Sequence, residues 1–277
     1  MKILIIGAGY IGKKCHEAWP ESQISDKKLY TKADVLALLD EYRPDVVLNA
    51  AGTIGRPNVD WCEDFQWETI QGNTLLPINI AGACYERGIY VLHIGSGCIF
   101  YGGEKTWQEN DFANPAAVYT KSKYAADLAL MTLPNVGIAR IRMPIDIIPY
   151  PGNLIDKLAS YPKIIDVENS VTVIEDMVKA FYGLLEKKAP GIYHVTNPGS
   201  IRHRKIIELY EKYVDPNHKN EWITEEDLVS MGLAQKKRSN NILQSENLKN
   251  LGIKMRGVED AVRDTIIKYA ENKKAPQ

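Results

Sequence analysis

Four side chains that could carry out acid–base chemistry lie close together in the middle of the chain. Ser96 and Cys98 follow an apolar run that reaches Ile94, and Tyr119 and Lys123 stand four residues apart in a segment with a helical pattern. Residues with this spacing share one face of a helix. A phenol ordinarily releases its proton at about pH 10, so its use near neutral pH needs a nearby cation that stabilises phenolate, and Lys123 could supply that cation. Ser96 could hold a carbonyl oxygen, and Cys98 adds a thiol, a group whose ordinary acidity is close to neutral.

The order of the surrounding elements predicts an α/β fold with a Rossmann-type, doubly wound parallel sheet. Short apolar runs without alternation take turns with helical segments through the first half of the chain, which is typical of strands buried on both faces. The alternation loosens after Pro149. We therefore predict a Rossmann-type domain over residues 1–147, with 174–198 contributing to it. A smaller C-terminal lobe is predicted over 148–173 and 199–277.

Several segments in this order have local signals. Thr31 is placed to cap a helix over Lys32 to Tyr42. Residues 64–87 are predicted as one helix, in which Asn73 is a polar exception. A short helix is predicted from Asn153 to Leu158, and Ile164 to Val173 is predicted as a small strand.

The first apolar run leads directly into the sequence Gly-Ala-Gly-Tyr-Ile-Gly and then into a helical segment. In this pattern the first glycine makes a tight turn, the second lets the backbone approach a pyrophosphate, and the third allows the helix to pack on the strand. The run that ends at Asn49 is followed by small residues, which would let a cofactor lie across the strand end. The residues predicted to contact the cofactor at these two places are Gly7, Gly9, Tyr10, Ile11, Gly12, Asn49, Ala50, Ala51 and Gly52.

The segment that is expected to bind the adenosine ribose contains both an acidic residue and basic residues. Asp26 would suit the ribose hydroxyl of NAD, whereas Lys27 and Lys28 would suit the 2'-phosphate of NADP. The lysine pair favours NADPH, with NADH as the alternative. We therefore predict that the domain over 1–147 binds NADP and that the C-terminal lobe over 148–173 and 199–277 binds the substrate.

Composition excludes several classes of partner. With 34 basic and 35 acidic residues and a net charge of −1, the chain has no electrostatic reason to bind nucleic acid or an anionic membrane. Its four cysteines are scattered without metal-ligand spacing, which predicts free thiols, no metal and a reducing compartment. The first apolar run is interrupted long before signal-peptide or membrane length. We expect a cytoplasmic protein that does not bind membranes.

These motifs, taken together, resemble the extended short-chain dehydrogenase/reductases that act on nucleotide sugars. A closer resemblance is to the nucleotide-rhamnose synthase epimerase/reductase enzymes of plants, and a more distant one is to the bacterial dTDP-4-dehydrorhamnose reductases. The likeness runs through nearly the whole chain, although Ser96 stands where the plant proteins have threonine. The segments that carry it are GRPNVDWCE at 55–63, GCIF at 97–100, RIRMPI at 140–145, residues 153–157, NS-T at 169–172, TNPG at 196–199 and RSNN at 238–241.

The resemblance implies a nucleotide-sugar substrate, a 4-keto-6-deoxyhexose on UDP or dTDP, that is epimerised at C3 and C5 and then reduced at C4. A C4 ketone acidifies the hydrogens on both neighbouring carbons, and inversion needs one group that removes a proton and another on the opposite face that returns it. Cys98, two residues from Ser96, is placed for one face. The second acid/base of the family matches Lys157.

For the reduction, the resemblance implies that Tyr119 supplies the proton and Ser96 holds the oxygen. Lys123 would lower the pKa of the phenol and bind the nicotinamide ribose. Met143 is a further expected cofactor contact. The expected substrate-binding residues are Arg56, Asn58, Asn153, Asn169, Arg238 and Asn240.

Two other functions are compatible with parts of the pattern. One is a 4-reductase that receives its substrate from a separate epimerase. The presence of both Cys98 and Lys157 argues against this function. The other is a non-catalytic NADP-binding regulatory subunit, which would be expected to lack Tyr119 or Lys123, and both are present. The sequence leaves open which nucleotide base the substrate carries and whether its sugar is a 2-acetamido form. It also leaves open a homodimer, which many enzymes of this fold form through two long helices.

Overall fold

A computed structural model describes residues 1–55, 58–103 and 105–274. Its strands are β1 (Ile3–Ile6), β2 (Gln23–Ser25), β3 (Val46–Asn49), β4 (Tyr90–Ser96), β5 (Thr106–Trp107), β6 (Val136–Ile141), β7 (Pro144–Ile145), β8 (Lys163–Ile165), β9 (Glu168–Asn169), β10 (Thr172–Val173), β11 (Gly191–His194), β12 (Ile201–Arg202), β13 (Glu221–Ile223) and β14 (Ile242–Leu243). Its α-helices are α1 (Tyr10–Ala18), α2 (Lys32–Tyr42), α3 (Trp61–Asp64), α4 (Gln66–Ile70), α5 (Leu76–Glu86), α6 (Val118–Leu130), α7 (Leu154–Ser160), α8 (Ile174–Lys187), α9 (His203–Tyr213), α10 (Glu225–Ser230), α11 (Glu246–Asn250) and α12 (Val258–Lys274). A π-helical turn covers Gln71–Leu75, and a 3-10 turn covers Gly97–Ile99.

A six-stranded sheet forms the centre of the fold, with the strand order β11-β6-β4-β3-β1-β2. β1 pairs in parallel with both β2 and β3, and β3 pairs in parallel with β4. Ile6 at the end of β1 is opposite Ser25 on one side and Asn49 on the other, so these three strands end at one edge. The predicted Rossmann-type α/β fold is confirmed.

The chain divides into two compact units. The first comprises 1–99, 112–140 and 178–193, and the second comprises 100–111, 141–177 and 194–277. Relative to the predicted domains, the segments that fall in the second unit rather than the first are 100–111, 141–147, 174–177 and 194–198. The chain therefore passes from one unit to the other within β6, α8 and β11. The hydrophobic periodicity of the sequence does not indicate a domain boundary inside a strand or a helix.

The first unit has a core of aliphatic side chains from the strands and from the helices that cover them. Leu4 and Val47 come from the sheet, whereas Leu38, Ile80 and Leu130 come from α2, α5 and α6, and all five are at most 2% exposed. Helix α2 begins at Lys32 with Thr31 as its N-cap, as predicted, and the Thr31 side chain forms a reciprocal capping box with Asp34. Such burial is the main favourable term in folding, and it fixes the helices against the strand ends.

The second unit is built around a separate core and four two-stranded sheets. Its core joins α7, α9 and α12 through residues such as Ile155, Ile207 and Ile266. The strand pairs are β10 with β7, β12 with β9, β13 with β8 and β14 with β5. Only β12 and β9 are antiparallel among these pairs.

Two elements that were predicted to be continuous are interrupted in the structure. The single helix predicted over 64–87 is divided into α3, α4, a π-helical turn and α5, because Phe65 (φ −120°, ψ 62°) leaves the helical conformation and the turn around Asn73 widens. The strand predicted from Ile164 to Val173 is three short strands, each paired with a different segment.

Two kinds of feature are missing from residues 1–55, 58–103 and 105–274. No helix there is long and apolar enough to cross a membrane. No group of three or more His, Cys, Asp and Glu side chains there could hold a metal ion.

Candidate active site

Two neighbouring elements of the first unit carry the four candidate catalytic side chains. β4 ends at Ser96, and the 3-10 turn that follows it carries Cys98. The N–H of the first residue of α6 donates to the Glu63 carboxylate at 2.8 Å, which fixes where the helix begins. Tyr119 therefore lies in the first turn of α6 and Lys123 one turn later.

The Ser96 hydroxyl connects these elements. Ser96 is 5% exposed, and its Oγ accepts a hydrogen bond from the Cys98 backbone N–H at 3.1 Å. The same side chain hydrogen-bonds the Tyr119 phenol. The structure thus brings Ser96, Cys98 and Tyr119 together as the sequence predicts.

Tyr119 has a raised pKa, in contrast to the expected fall. Burial raises the pKa of the phenol most, the neighbouring Cys98 and Cys62 thiols raise it further, and the hydrogen bond with Ser96 opposes them. Tyr119 is consequently protonated at neutral pH in this structure, the state that a proton donor requires.

Lys123 is a buried cation. It is 6% exposed, and its Nζ donates to the Ile94 carbonyl oxygen at 3.2 Å. Burial lowers the pKa of Lys123 to about 8, and the charge of Asp127 opposes that fall. A Cβ on Gly52 would lie 3.3 Å from Nζ, so the ammonium lies beside the small residues that follow β3.

Asn73 joins the segment after β3 to α6. Its Nδ2 donates to the Thr53 carbonyl at 2.8 Å and to Ser122 Oγ at 3.3 Å, while its Oδ1 accepts from the Thr53 N–H at 2.8 Å. The side chain is fully buried in the π-helical turn, a feature that is frequent at functional sites. The sequence marks Asn73 as a polar exception in a helix but gives it no role.

The glycine-rich turn between β1 and α1 fits a dinucleotide. Gly7 has a φ of +108°, and a Cβ on Gly7 would lie 2.6 Å from the Ala51 nitrogen. A Cβ on Gly12 would lie 2.1 Å from the Gly7 carbonyl oxygen, so the helix can approach the strand this closely only with glycine. A Cβ on Gly9 would meet no atom within 4 Å, which leaves the N-terminus of α1 accessible to a phosphate.

The other predicted cofactor residues fall on the same sheet edge or beside it. Tyr10 and Ile11 open α1, and Ala50 and Ala51 follow β3. Asn49 is buried, and its Oδ1 accepts from the Ala51 N–H at 3.1 Å, so it orders this segment from within.

Lys27 and Lys28 follow β2, and they differ in their contacts. Lys27 Nζ lies 2.6 Å from the Glu41 carboxylate, with both side chains half exposed, whereas Lys28 is exposed. Their assignment to the 2'-phosphate stays a prediction.

Lys157, Asn153 and Met143 belong to the second unit. Lys157 is exposed on α7, and Asn153 caps that helix by accepting from the Ile155 N–H at 3.2 Å. Asn153 is 1% exposed and also donates to the Asp146 carbonyl at 2.9 Å, which makes it a structural residue of this turn. Met143 has a φ of +41°, uncommon for a residue with a side chain.

Asn169 and Asn240, also in the second unit, form part of a buried polar cluster. Asn169 Nδ2 donates to Asn240 Oδ1 at 3.0 Å, and Asn169 Oδ1 accepts from the Asn241 N–H at 2.9 Å. Arg142 donates to the Asn169 side chain and to the Ser239 carbonyl. Asn169 is not exposed, and these contacts hold the segment that carries the half-buried Arg238. Direct substrate contact by Asn169, Arg238 or Asn240 stays a prediction.

The remaining substrate candidates precede α3. Asn58 Oδ1 accepts from the Asp60 N–H at 2.8 Å, an Asx turn at the start of the helix. Arg56 lies outside the residues that the structure describes.

Comparison with known proteins identifies the family. The family model for the RmlD substrate binding domain matches residues 1–270. The chain belongs to this family. Its match to the model spans both compact units of the chain.

Relatives of this RmlD-family chain include plant enzymes. It is 33% identical over 250 residues to a bifunctional dTDP-4-dehydrorhamnose 3,5-epimerase/dTDP-4-dehydrorhamnose reductase of Arabidopsis thaliana, covering 87% of this chain and 82% of the relative. It is 31% identical to a trifunctional UDP-glucose 4,6-dehydratase/UDP-4-keto-6-deoxy-D-glucose 3,5-epimerase/UDP-4-keto-L-rhamnose-reductase of the same plant, covering 98% of this chain but only 42% of that longer protein.

Solved structures have the same fold. The UDP-rhamnose synthase of Acanthamoeba polyphaga mimivirus has a TM-score of 0.90 at 27% identity, covering 97% of this chain and 99% of that one. A dTDP-4-dehydrorhamnose reductase of Bacillus anthracis, in complex with NADP, has a TM-score of 0.82 at 24% identity, covering 96% and 99%.

Sequence reasoning missed Asn73 and Arg142 as site-supporting residues of this RmlD-family chain. The signal for Asn73 is an amide side chain in a segment that the sequence predicts to be helical. The signal for Arg142 is a charge directly after a buried strand. The partners of Asn73 and of Arg142 both lie far away in sequence.

Proposed function

We propose that this chain converts a nucleotide-linked 4-keto-6-deoxyglucose into the corresponding L-rhamnose, by 3,5-epimerisation followed by NADPH-dependent reduction at C4. The nucleotide is UDP or dTDP. The observation that carries the proposal is the contact set in which the protonated Tyr119 phenol hydrogen-bonds Ser96 beside Cys98.

In the reduction, the chain supplies a proton and holds the oxygen. NADPH, when bound, supplies the hydride. The protonated Tyr119 donates its proton to the oxygen at C4, while the Ser96 hydroxyl donates a hydrogen bond that holds the same oxygen as it gains negative charge. Lys123 binds the nicotinamide ribose, and its ammonium favours the phenolate that remains. A positioned general acid contributes about 10²–10⁴-fold in rate.

In the epimerisation, the ketone makes the C3 and C5 hydrogens acidic. The Cys98 thiolate removes one of these protons to leave an enolate, and an acid on the opposite face returns a proton to the same carbon. We assign that second role to Lys157, on the resemblance alone. No net oxidation occurs, so these steps need no cofactor chemistry.

The electrostatic effect of Cys98 on Tyr119 links the two activities in one site. Negative charge on the thiol raises the pKa of the phenol. Negative charge on Cys98 during the epimerisation therefore favours the protonated phenol that the reduction uses.

The relatives support the same reaction class. The plant relative of 33% identity is named for both the 3,5-epimerase and the reductase, and the viral structure is named as a UDP-rhamnose synthase. The NADP in the Bacillus anthracis structure, the fit of the glycine turn and the 2'-phosphate candidates Lys27 and Lys28 support NADPH.

The test is to incubate the purified protein with UDP-4-keto-6-deoxyglucose, or its dTDP analogue, in deuterated water with and without NADPH. NMR would follow deuterium at C3 and C5 and the final sugar. We expect deuterium uptake without NADPH and nucleotide-linked L-rhamnose with it. Cys98→Ser should lose the uptake but still reduce a ketone that has already been epimerised.

Two other outcomes would identify the alternatives. Reduction of the pre-epimerised ketone without any hydrogen exchange would show a 4-reductase alone, and Cys98 and Lys157 would then have structural roles. Binding of NADPH without either reaction would show a non-catalytic subunit.

A further inference from the structure

A buried ion pair in the first unit has no part in the reaction described above. Arg140 Nε on β6 lies 2.8 Å from Asp127 Oδ2 on α6, and the side chains are 2% and 0% exposed. Among the described residues, Asp127 Oδ1 accepts no hydrogen bond. Burying a charged pair costs free energy and is weak evidence for stabilisation, so a role other than stability is worth seeking for this pair.

The position of Asp127 relates it to the active site. Tyr119, Lys123 and Asp127 follow one another at intervals of four residues on α6 and so share one face of the helix. Asp127 acts electrostatically on Lys123, and Lys123 acts on Asp127 in return.

β4 provides the space for both side chains. Lys123 Nζ donates to the carbonyl of Ile94, and the next residue is Gly95. A Cβ on Gly95 would lie 3.4 Å from Asp127 Oδ1 and 3.1 Å from Arg140 Cγ, the latter a contact at which a neighbour must move. The pair therefore packs over a glycine next to the carbonyl that holds the ammonium.

Among the residues that the structure describes, Asp127 is the neighbour of Lys123 whose charge favours the ammonium. His93 on β4 interacts with Lys123, but burial holds its pKa well below the ordinary value, so it is neutral. Its Nδ1 lies 3.0 Å from the Asn49 amide nitrogen, which places the proton on Nε2. Arg140 on β6 acts on Asp127, whereas Cys98 on the 3-10 turn and Cys62 on α3 act on Tyr119. The polar contributions from the π-helical turn and the end of β3, Asn73 and Asn49, are uncharged.

We propose that Asp127, held by Arg140, is a positioning residue for Lys123: its carboxylate keeps the ammonium charged and seated on the Ile94 carbonyl. Burial raises the pKa of Asp127, and the charge and the hydrogen bond of Arg140 oppose that rise and favour the carboxylate. The inference rests on the proposed function for the role of Lys123 in binding the nicotinamide ribose and in the reduction.

The test is the pH dependence of NADPH affinity and of kcat/KM for the ketone in Asp127→Asn. If the pKa of Lys123 falls by 1 from its value of about 8, the protonated fraction falls about 2-fold at pH 7 and about 8-fold at pH 8.5. We expect both NADPH affinity, measured by fluorescence, and kcat/KM to fall in this pH-dependent way. A loss of the same size at both pH values, as a purely structural role would give, would overturn the proposal, as would a wild-type NADPH Kd that does not change over this range.

Two further variants control for folding. Asp176→Asn removes one of the carboxylates that pair with Arg256, at 2.9 Å in the second unit, and should lower the Tm without changing either pH profile. If Asp127→Asn does not fold, Gly95→Ala displaces the pair without changing a charge. It should move the profiles in the same direction by a smaller amount, and unmoved profiles in that variant would contradict the proposal.

The two proposals fail separately. A wild-type protein that binds NADPH in the expected pH-dependent manner but reduces no nucleotide sugar would refute the proposed function and leave the role of Asp127 standing. A working reductase with unchanged profiles in Asp127→Asn would do the reverse.

Discussion

Replacing Lys123 by Met should abolish the reduction and stabilise the fold. In the unfolded chain the lysine has its ordinary pKa of 10.5, and in the folded protein burial lowers the pKa to about 8. A pKa difference of 1 corresponds to about 1.4 kcal/mol, so keeping this ammonium charged and buried costs about 3 kcal/mol at pH 7.

Removing the lysine removes this cost, but the variant also loses a favourable interaction. Lys123→Met loses the hydrogen bond from Nζ to the Ile94 carbonyl, a charged hydrogen bond worth about 1.5–3 kcal/mol. The thioether side chain fills most of the same space. We therefore expect a net gain of about 1 kcal/mol in the free energy of unfolding at pH 7.

The sign of the pH dependence follows from proton binding. Between pH 8 and 10.5 the unfolded wild-type chain binds more protons at this lysine than the folded chain does, so wild-type stability rises with pH in this window. The variant lacks this rise. From pH 7 to pH 9.5 the free energy of unfolding of the wild type should therefore rise by about 2 kcal/mol relative to that of the variant.

The assay is urea unfolding at both pH values, with Lys121→Met as the matched control. Lys121 is exposed on the same helix, so its replacement should change stability by no more than about 0.5 kcal/mol at either pH. A difference between Lys123→Met and the wild type that is the same at pH 7 and pH 9.5 would refute the reasoning, because the buried ammonium would then not titrate near pH 8.

Two other substitutions test the parts that position the site. Asn73→Ala removes three hydrogen bonds and leaves the Thr53 backbone groups without their partner, so it should lower the free energy of unfolding by about 2–4 kcal/mol in urea titrations. Asn79 is only half-buried and makes one hydrogen bond to Tyr30, so Asn79→Ala should lower the free energy of unfolding by less than about 1 kcal/mol. Equal effects of the two substitutions would contradict the assignment. Gly12→Ala would place a Cβ 2.1 Å from the Gly7 carbonyl oxygen and should weaken NADPH binding at least about 10-fold in fluorescence titrations. Gly257→Ala, where a Cβ meets no atom within 4 Å, should bind NADPH as the wild type does, and unimpaired binding by Gly12→Ala would show that the turn can open.

Local patterns were sufficient to predict much of the first unit. The apolar runs that became β1, β3 and β4 and the Thr31 cap of α2 depend on residues close in sequence. The glycine turn was predictable for the same reason, since only glycine allows the contacts at positions 7 and 12.

Features that depend on distant partners were not predictable. The π-helical turn forms where Asn73 bonds Thr53, 20 residues away, and no helical period signals it. The sequence predicted a cation beside the phenol but not how deeply both groups are buried, so it gave the wrong direction for the pKa of Tyr119. The role of Arg142 depends on Ser239, 97 residues away. The homodimer and the cytoplasmic location stay predictions.

The central claim is that one site carries two separable activities, and Tyr119→Phe tests it most directly. The variant should be incubated with UDP-4-keto-6-deoxyglucose and NADPH in deuterated water, with deuterium at C3 and C5 and rhamnose formation followed in the same sample. We predict that hydrogen exchange continues, while reduction falls at least about 10²-fold because the general acid is gone. Reduction at the wild-type rate would contradict the account, as would the loss of exchange together with reduction in a variant that is still folded.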